Sequence, residues 1–249
     1  MKKSTAVLAV MTGALLAQAA PAAEIKVLSG GAIEPGLKAA AAAFQKETGH
    51  EVKITFNTTP QIRKRIGGGE TTDVIIAPPA AIEDFAKDGK VTQERVNVGR
   101  VGLGVAVRPG APVPDISSAE ALKRSVLDAE SIVFNRASSG IYFENLLKKM
   151  GIYEQVEGKT TRYGDGASVM EHVLKGKGKE IGFGPITEIL LHRDKNLRLV
   201  GPLPAEAQNY TSYTATPMTA ASNAEVASPF VRYLGSPAGK ALFVAAGID

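Results

Sequence analysis

The feature that most constrains this chain is the repeated alternation of short apolar segments with longer amphipathic ones. Residues 52–56 alternate apolar and polar side chains, as a half-buried strand does, and residues 37–44 repeat apolar side chains at the spacing of one helix face. The same order returns in the middle of the chain, where a strand at 131–134 precedes a helix. Strands that alternate with helices favour sheets covered by helices. The sequence therefore predicts an α/β fold with parallel or mixed sheets.

The first residues have the layout of a secretory signal peptide. Lys2 and Lys3 precede an apolar run from Ala6 to Ala17, and small residues follow up to position 23. The alternative, a membrane anchor, is disfavoured because the run is shorter than the roughly 20 residues that span a bilayer. We predict that residues 1–23 are a cleaved signal and that the mature protein is periplasmic.

Composition excludes several classes of protein. The 249 residues include no cysteine, so the chain has neither a disulfide framework nor a cysteine for lipid attachment. Removing residues 1–23 with their two lysines lowers the formal charge from +4 to +2, and such a small excess is not typical of nucleic-acid binding. We expect a soluble monomer with no nucleic-acid partner.

Three predicted strand-to-helix turns are rich in small and hydroxylated residues: Ser29-Gly30-Gly31, Thr58-Thr59 and Ser138-Ser139-Gly140. Open α/β sheets bind ligands at the carboxyl ends of their strands, and helix N-termini there offer unpaired N–H groups that bind anions. The alternative is that these residues are ordinary helix caps. Taken together, the three turns predict a site for a small anionic ligand.

Two arginines flank these turns. Arg136 precedes the Ser138 turn, and Arg63 lies one turn into the helix that follows Thr59. The planar guanidinium matches a carboxylate or phosphate, so we include both arginines in the predicted site. For Arg63 the alternative is a solvated basic helix face shared with Lys64.

Sequence signatures of enzymes are scarce. His50, His172 and His192 lack metal-ligand spacing and are interpreted as surface histidines, and no phosphate-binding loop, dinucleotide fingerprint or nucleophile elbow occurs. A secreted serine hydrolase that uses Ser29 or Ser139 is the alternative, but no signature supplies its base. We predict a protein that is not an enzyme and holds no cofactor and no metal. A sensory module that works through a partner receptor is a further alternative.

Five segments carry a resemblance to a known family. They are residues 27–31, 57–59, 73–77 and 136–142, and the closing stretch Phe230–Phe243. In these segments the chain resembles the molybdate-binding-protein-like, type II periplasmic solute-binding proteins of ABC transporters. The resemblance implies two lobes, 24–105 with 216–249 and 106–215, joined by a two-crossing hinge. It also implies a membrane permease as partner.

The resemblance also implies which residues bind the solute. Hydroxyl and N–H groups carried over by position are those of Ser29, Thr58 or Thr59, Ser139, Ser168 and Val169. Together with the turn residues and arginines above and three further positions, the predicted site consists of Ser29, Gly30, Thr58, Thr59, Arg63, Ala77, Pro78, Arg136, Ser138, Ser139, Gly140, Ser168, Val169 and Pro185. Molybdate-binding members of the family commonly have a tyrosine where this chain has Pro185, which offers neither hydroxyl nor N–H. We therefore expect an organic carboxylate or another oxyanion, with molybdate or tungstate as the alternative.

Overall fold

A computed structural model describes residues 22–249, so most of the predicted signal peptide lies outside the described residues. The strands within this range are β1 Glu24–Gly30, β2 Glu51–Asn57, β3 Val74–Ala77, β4 Val96–Val107, β5 Ser131–Asn135, β6 Thr160–Tyr163, β7 Glu180–Pro185, β8 Arg198–Pro202 and β9 Tyr210–Pro217. The α-helices within it are α1 Glu34–Thr48, α2 Thr59–Gly67, α3 Pro79–Lys87, α4 Ala119–Asp128, α5 Ser138–Lys149, α6 Tyr153–Val156, α7 Gly166–Lys175, α8 Ile186–Leu190, α9 Ala224–Gly235 and α10 Pro237–Ala245.

The strands form a mixed sheet in the order β2-β1-β3-β9-β4-β7-β5-β6, and β8 also pairs with β4. Pairing is parallel within β2-β1-β3 and within β7-β5-β6, where helices connect successive strands. It is antiparallel wherever β4 or β9 takes part. The predicted α/β fold with mixed sheets and flanking helices is confirmed.

Strand β4 joins two separately packed halves of the molecule. Its first part pairs with β9, and Val101 packs in a core cluster with Ile25 and Phe230. Its last part pairs with β7 and β8, and Leu103 packs in another cluster with Phe134. We call the clusters around β1, β2, β3 and β9 the first half and those around β5, β6 and β7 the second half.

Local chemistry sets where the helices begin and end. Helix α1 ends at Gly49, which has a φ of 78° that side chains disfavour. Ser118 caps α4 and Asp165 caps α7, each accepting a hydrogen bond from an N–H in the first turn. Sequence periodicity did not reveal β6, α6 and α8, because four or five residues are too few to show a repeat.

The topology brings the carboxyl ends of several strands together. Strands β1, β2, β5 and β7 all end beside the boundary between the two halves, and a helix or a 3-10 turn starts within three residues of each strand end. In the described part of the chain, no helix has the length and apolar character required to cross a bilayer.

Candidate functional site

A cavity of about 210 Å³ lies between the two halves. Its volume is many times the roughly 10–15 Å³ that a cavity needs to hold one water molecule, so it can hold a small solute. The starts of four helical segments border it, those of α2, α5 and α7 and of the 3-10 turn Gly31–Ile33 that leads into α1. Its lining consists of Gly30, Gly31, Ala32, Glu34, Phe56, Asn57, Thr58, Thr59, Gln61, Asn135, Ala137, Ser138, Ser139, Asp165, Gly166, Ala167, Pro185, Glu188, Leu191, His192 and Tyr213.

Two hydrogen bonds connect the halves at or beside this cavity. Ser138 Oγ at the start of α5 donates to Thr59 Oγ1 at the start of α2 over 3.2 Å. The buried hydroxyl of Thr187 donates to the carbonyl oxygen of Ala32. Both bonds join residues far apart in the sequence, and each would break if the halves moved apart.

Asn135, the last residue of β5, organises the wall at α5. Its Oδ1 accepts hydrogen bonds from the N–H groups of Ala137 and Gly140, at 3.0 and 3.1 Å. Its Nδ2 donates to Ser139 Oγ at 3.1 Å. A Cβ on Gly140 would lie 1.8 Å from the Asn135 carbonyl oxygen, so this close approach requires glycine. The N–H groups of Ser138 and Ser139 have no acceptor within the helix and can serve a ligand.

Two of the acidic side chains in the lining are already compensated. Asp165 accepts from the N–H and the hydroxyl of Ser168, at 2.8 and 3.0 Å, as the cap of α7. Glu34 forms an ion pair with Lys38. Neither carboxylate needs a ligand to balance it.

Glu188 on α8 differs from both. No described residue forms a hydrogen bond with its Oε2, which is covered from solvent although other atoms of the side chain reach the cavity. The carboxyl group lies against the first turn of α7, where a Cβ on Gly166 would lie 1.7 Å from Oε2. Burial, with a smaller contribution from the charges of Asp165 and Glu34, raises the pKa of Glu188 to about 7.

Tyr213 and His192 complete this side of the cavity. Burial raises the pKa of the Tyr213 phenol, with a smaller effect from Glu188, so the hydroxyl stays protonated and can donate a hydrogen bond. A Cβ on Gly30 would lie 2.5 Å from the Tyr213 ring, which shows how closely β1 approaches it. Burial lowers the pKa of His192, and no described residue forms a hydrogen bond with its Nδ1. A neutral imidazole is therefore favoured at pH 7.

No lysine or arginine is among the described residues of the lining. An anion placed there would be held by neutral donors, namely helix N–H groups, hydroxyls and amides, as helix N-termini allow. Glu188 assists such binding in its protonated form, because a carboxylic acid donates a hydrogen bond whereas a carboxylate repels the ligand. Within residues 22–249, no cluster of three or more acidic or histidine side chains suits a metal ion.

Six of the residues predicted from the sequence line the cavity: Gly30, Thr58, Thr59, Ser138, Ser139 and Pro185. The other eight lie outside the lining: Ser29, Arg63, Ala77, Pro78, Arg136, Gly140, Ser168 and Val169.

The two arginines are outside for different reasons. Arg63 forms an ion pair with Asp84 of α3 and does not line the cavity. Arg136 is exposed, and its backbone N–H donates to the carbonyl oxygen of Tyr163 at the edge of the sheet. The structure thus places no guanidinium in the predicted anion site.

The remaining predicted residues support the walls. Ser29 is fully buried in β1, where its hydroxyl donates to the Gly30 carbonyl. Ala77 is core, and Pro78 is the N-cap of α3. Gly140 is covered by Asn135.

The prediction at Ser168 and Val169 came two residues too late. Helix α7 begins at Gly166, so its first residues border the cavity, whereas Val169 is buried in the core. The Ser168 N–H is taken by the Asp165 cap.

The interpretation of His192 as a surface histidine is wrong, since it lines the cavity with a covered Nδ1. Asn57 and Asn135 were missed, although each is the last residue of a strand that precedes a hydroxyl-rich turn. The sequence indicates Glu188 more weakly, through its position just after the end of β7. Nothing local in the sequence marks Tyr213.

Comparisons with known proteins place the fold and the site in context. Residues 25–249 match the profile of the family described as bacterial extracellular solute-binding protein. An aconitate isomerase of Pseudomonas sp. is 31% identical over 228 residues, which cover 89% of this chain and 86% of that protein. The molybdate-binding protein ModA of Azotobacter vinelandii is 28% identical over 247 residues, which cover 95% and 94%. Among solved structures, a periplasmic molybdate-binding protein of Azotobacter vinelandii superposes with a TM-score of 0.76, at 18% identity, over 90% of this chain and 98% of that one.

Proposed function

The chain belongs to the family of bacterial extracellular solute-binding proteins, and we propose that it binds a small organic anion with two or three carboxylates in the cleft between two lobes. The observation that carries this proposal is the cavity itself. Helix N-termini and hydroxyls from both halves of the molecule converge on it, and two hydrogen bonds join the halves at or beside it.

Two observations favour a polycarboxylate over a tetrahedral oxyanion. Pro185 lines the cavity and has no donor to offer an oxyanion. Glu188 stands in the wall, and its protonated form can donate to one carboxylate while helix N–H groups hold another. The name of the 31% identical relative points to the same class of ligand, and that of the 28% identical one supports molybdate as the alternative.

The lobes of this proposal follow the two groups of core clusters. The chain passes from the first half to the second between Val101 and Leu103 in β4. It returns between Ala207 and Tyr213. These crossings lie a few residues before the predicted boundaries at 105 and 215. The closed form would deliver its solute to an ABC permease in the cell envelope, after removal of residues 1–23.

A thermal-shift screen tests the binding role. Molybdate, tungstate and sulfate are compared with citrate, cis-aconitate, trans-aconitate and propane-1,2,3-tricarboxylate. A ligand at 100 times its Kd stabilises the protein by about 2.7 kcal/mol, which corresponds to roughly 5–10 °C in Tm for a chain of this size. We expect such a shift from a tricarboxylate. A shift from molybdate or tungstate alone would establish the alternative ligand, and no shift from any of these anions would contradict the proposal.

A second candidate function is isomerisation of an unsaturated tricarboxylate. The observation that favours it is the carboxyl of Glu188, whose covered Oε2 has no hydrogen-bond partner among the described residues, beside Tyr213 and His192 in the cavity of a chain that is 31% identical to an aconitate isomerase. Incubation with cis-aconitate or trans-aconitate, followed by proton NMR, tests it. Formation of the other isomer supports an enzyme, and unchanged spectra with a bound ligand support binding alone.

A further inference from the structure

Glu188 is a half-buried acid whose covered Oε2 is not explained by the packing of the fold. Asp165 and Glu34 are the two acidic groups whose charges act on Glu188. Asp165 accepts a hydrogen bond from Ser168, and Glu34 forms an ion pair with Lys38. Glu188 Oε2 has no hydrogen-bond partner among the described residues, yet it is covered by the first turn of α7. A fold keeps such a group at a cost in stability, so its place in the cavity wall calls for a chemical role.

The chemistry of cis–trans isomerisation restricts what that role can be. The double bond must lose its π character for a time, either by addition of a nucleophile or by a shift of a proton along an allylic carbon unit. The chain has no cysteine. The cavity hydroxyls of Ser138 and Ser139 are hydrogen-bonded to Thr59 and Asn135, and neither of these partners is a base. The arrangement therefore favours the proton shift.

We propose that Glu188 is a catalytic residue that moves a proton between the two ends of an allylic unit in a bound unsaturated tricarboxylate, which rests on the second candidate function above. The Glu188 carboxylate removes a proton from the methylene carbon. The electron pair of that C–H bond delocalises through the double bond into a carboxylate. Glu188, which is now a carboxylic acid, returns a proton to the carbon at the other end of the allylic unit. The double bond then lies one position along the carbon chain. No oxidant, reductant or co-reactant is consumed.

The surroundings suit both half-reactions. A pKa of about 7 leaves Glu188 divided between carboxylate and acid near neutral pH, as a group that both removes and returns a proton requires. The charged and titratable groups around it are Asp165, Glu34, His192 and Tyr213. Charge that develops on the substrate carboxylate can be stabilised by the N–H groups at the start of α5 and by the neutral Tyr213 phenol.

Exchange with deuterated water tests the proposal directly. The protein is incubated with trans-aconitate in D₂O, and the methylene signal is followed by proton NMR. We expect the wild type to lose this signal as it forms the cis isomer. Glu188→Gln should slow the loss at least 100-fold and keep the ligand affinity within a few-fold. Glu83→Gln makes the same chemical change at an exposed position of α3 and should behave as wild type.

The saturated analogue propane-1,2,3-tricarboxylate separates binding from proton transfer. It should bind to the wild type without exchange, because its C–H bonds are not allylic. Glu188→Asp withdraws the carboxylate by about one bond length and should exchange more slowly than wild type but faster than Glu188→Gln. The intermediate rate keeps the test decisive if Glu188→Gln folds poorly.

The outcomes are distinguishable. A wild type that binds trans-aconitate but neither exchanges its methylene protons nor forms the cis isomer overturns the role of Glu188 and leaves the binding function standing. Exchange that persists in Glu188→Gln assigns the proton to another group and also overturns it. Failure of every tricarboxylate to bind contradicts the proposed function itself.

Discussion

At the scale of single residues, Glu188 makes stability depend on pH. Its ordinary pKa of 4.5 rises to about 7 in the folded chain. The folded state therefore binds more protons than the unfolded state between these values, and stability falls as pH rises through that window. The loss of stability levels off above pH 7, when Glu188 is charged in the folded state as well. A carboxylate in a salt bridge has the opposite effect, since it makes the protein more stable as pH rises.

Glu188→Gln should remove this dependence, because the neutral amide resembles the protonated acid. We expect the variant to be more stable than wild type at pH 8, by up to about 3 kcal/mol, and to differ less at pH 5. Urea unfolding at the two pH values measures it, with Glu83→Gln as the control. An equal difference at both pH values would show that Glu188 does not titrate between them.

Arg136 has a side chain suited to binding an anion but lies outside the cavity. Arg136 was predicted to meet the anion because it lies in a strand-to-helix turn, yet its side chain is exposed and outside the lining. A turn residue can point either way, and the sequence shows only its position along the chain. The cavity instead has neutral donors, which hold an anion without the desolvation of a buried cation.

At the scale of elements, helices α7 and α8 depend on each other. The first turn of α7 can lie against the Glu188 carboxyl because Gly166 has no side chain. Capping of α7 by Asp165 fixes that first turn. The residue at which α7 begins, rather than the length or periodicity of the helix, thus sets the shape of the cavity beside Glu188.

Gly166→Ala should therefore displace the Glu188 carboxyl and weaken tricarboxylate binding by about tenfold, which corresponds to about 1.4 kcal/mol. Gly164→Ala is a matched control two residues earlier, since a Cβ there meets no atom within 4 Å. Calorimetric titration of both variants checks the expectation. Equal affinities in the two variants would show that contact between α7 and Glu188 is unimportant for the ligand.

At the scale of the whole molecule, the proposed closure of the two halves should depend on the contacts between them beside the cavity. Ligand stabilises the closed form only by the extent to which it binds that form better than the open one. The bond from Thr187 to the Ala32 carbonyl joins the two halves in this structure and does not involve a ligand.

Thr187→Val keeps the shape of the side chain but removes this donor. Closure should become less favourable by about 1 kcal/mol, so the apparent affinity should fall about fivefold, and X-ray scattering should show a larger radius of gyration without ligand. Thr48→Val removes a comparable bond inside α1, to the Phe44 carbonyl, and should change neither quantity. An unchanged affinity in Thr187→Val would contradict closure about this contact.

The sequence by itself determined the α/β class, most of the strands and helices, and the strand ends that border the cavity. These features follow from periodicity, caps and turns, which are interactions between residues close together in the chain. It also indicated six of the cavity residues, five from turns of small and hydroxylated residues that are visible as local motifs and Pro185 from the family resemblance. The sequence predicted parallel or mixed sheets, but it did not predict the order in which the strands pair.

Only the tertiary structure decided which side chains share the cavity. Gly30, Ser138, Glu188 and Tyr213 are far apart in the sequence, and pairing of β4 with both β7 and β9 brings them together. The same packing buries Glu188 and raises its pKa, and it leaves Arg136 outside. Burial and proximity are properties of the packed molecule, so residue types and spacing alone could predict a small anion but not the acid that stands beside it.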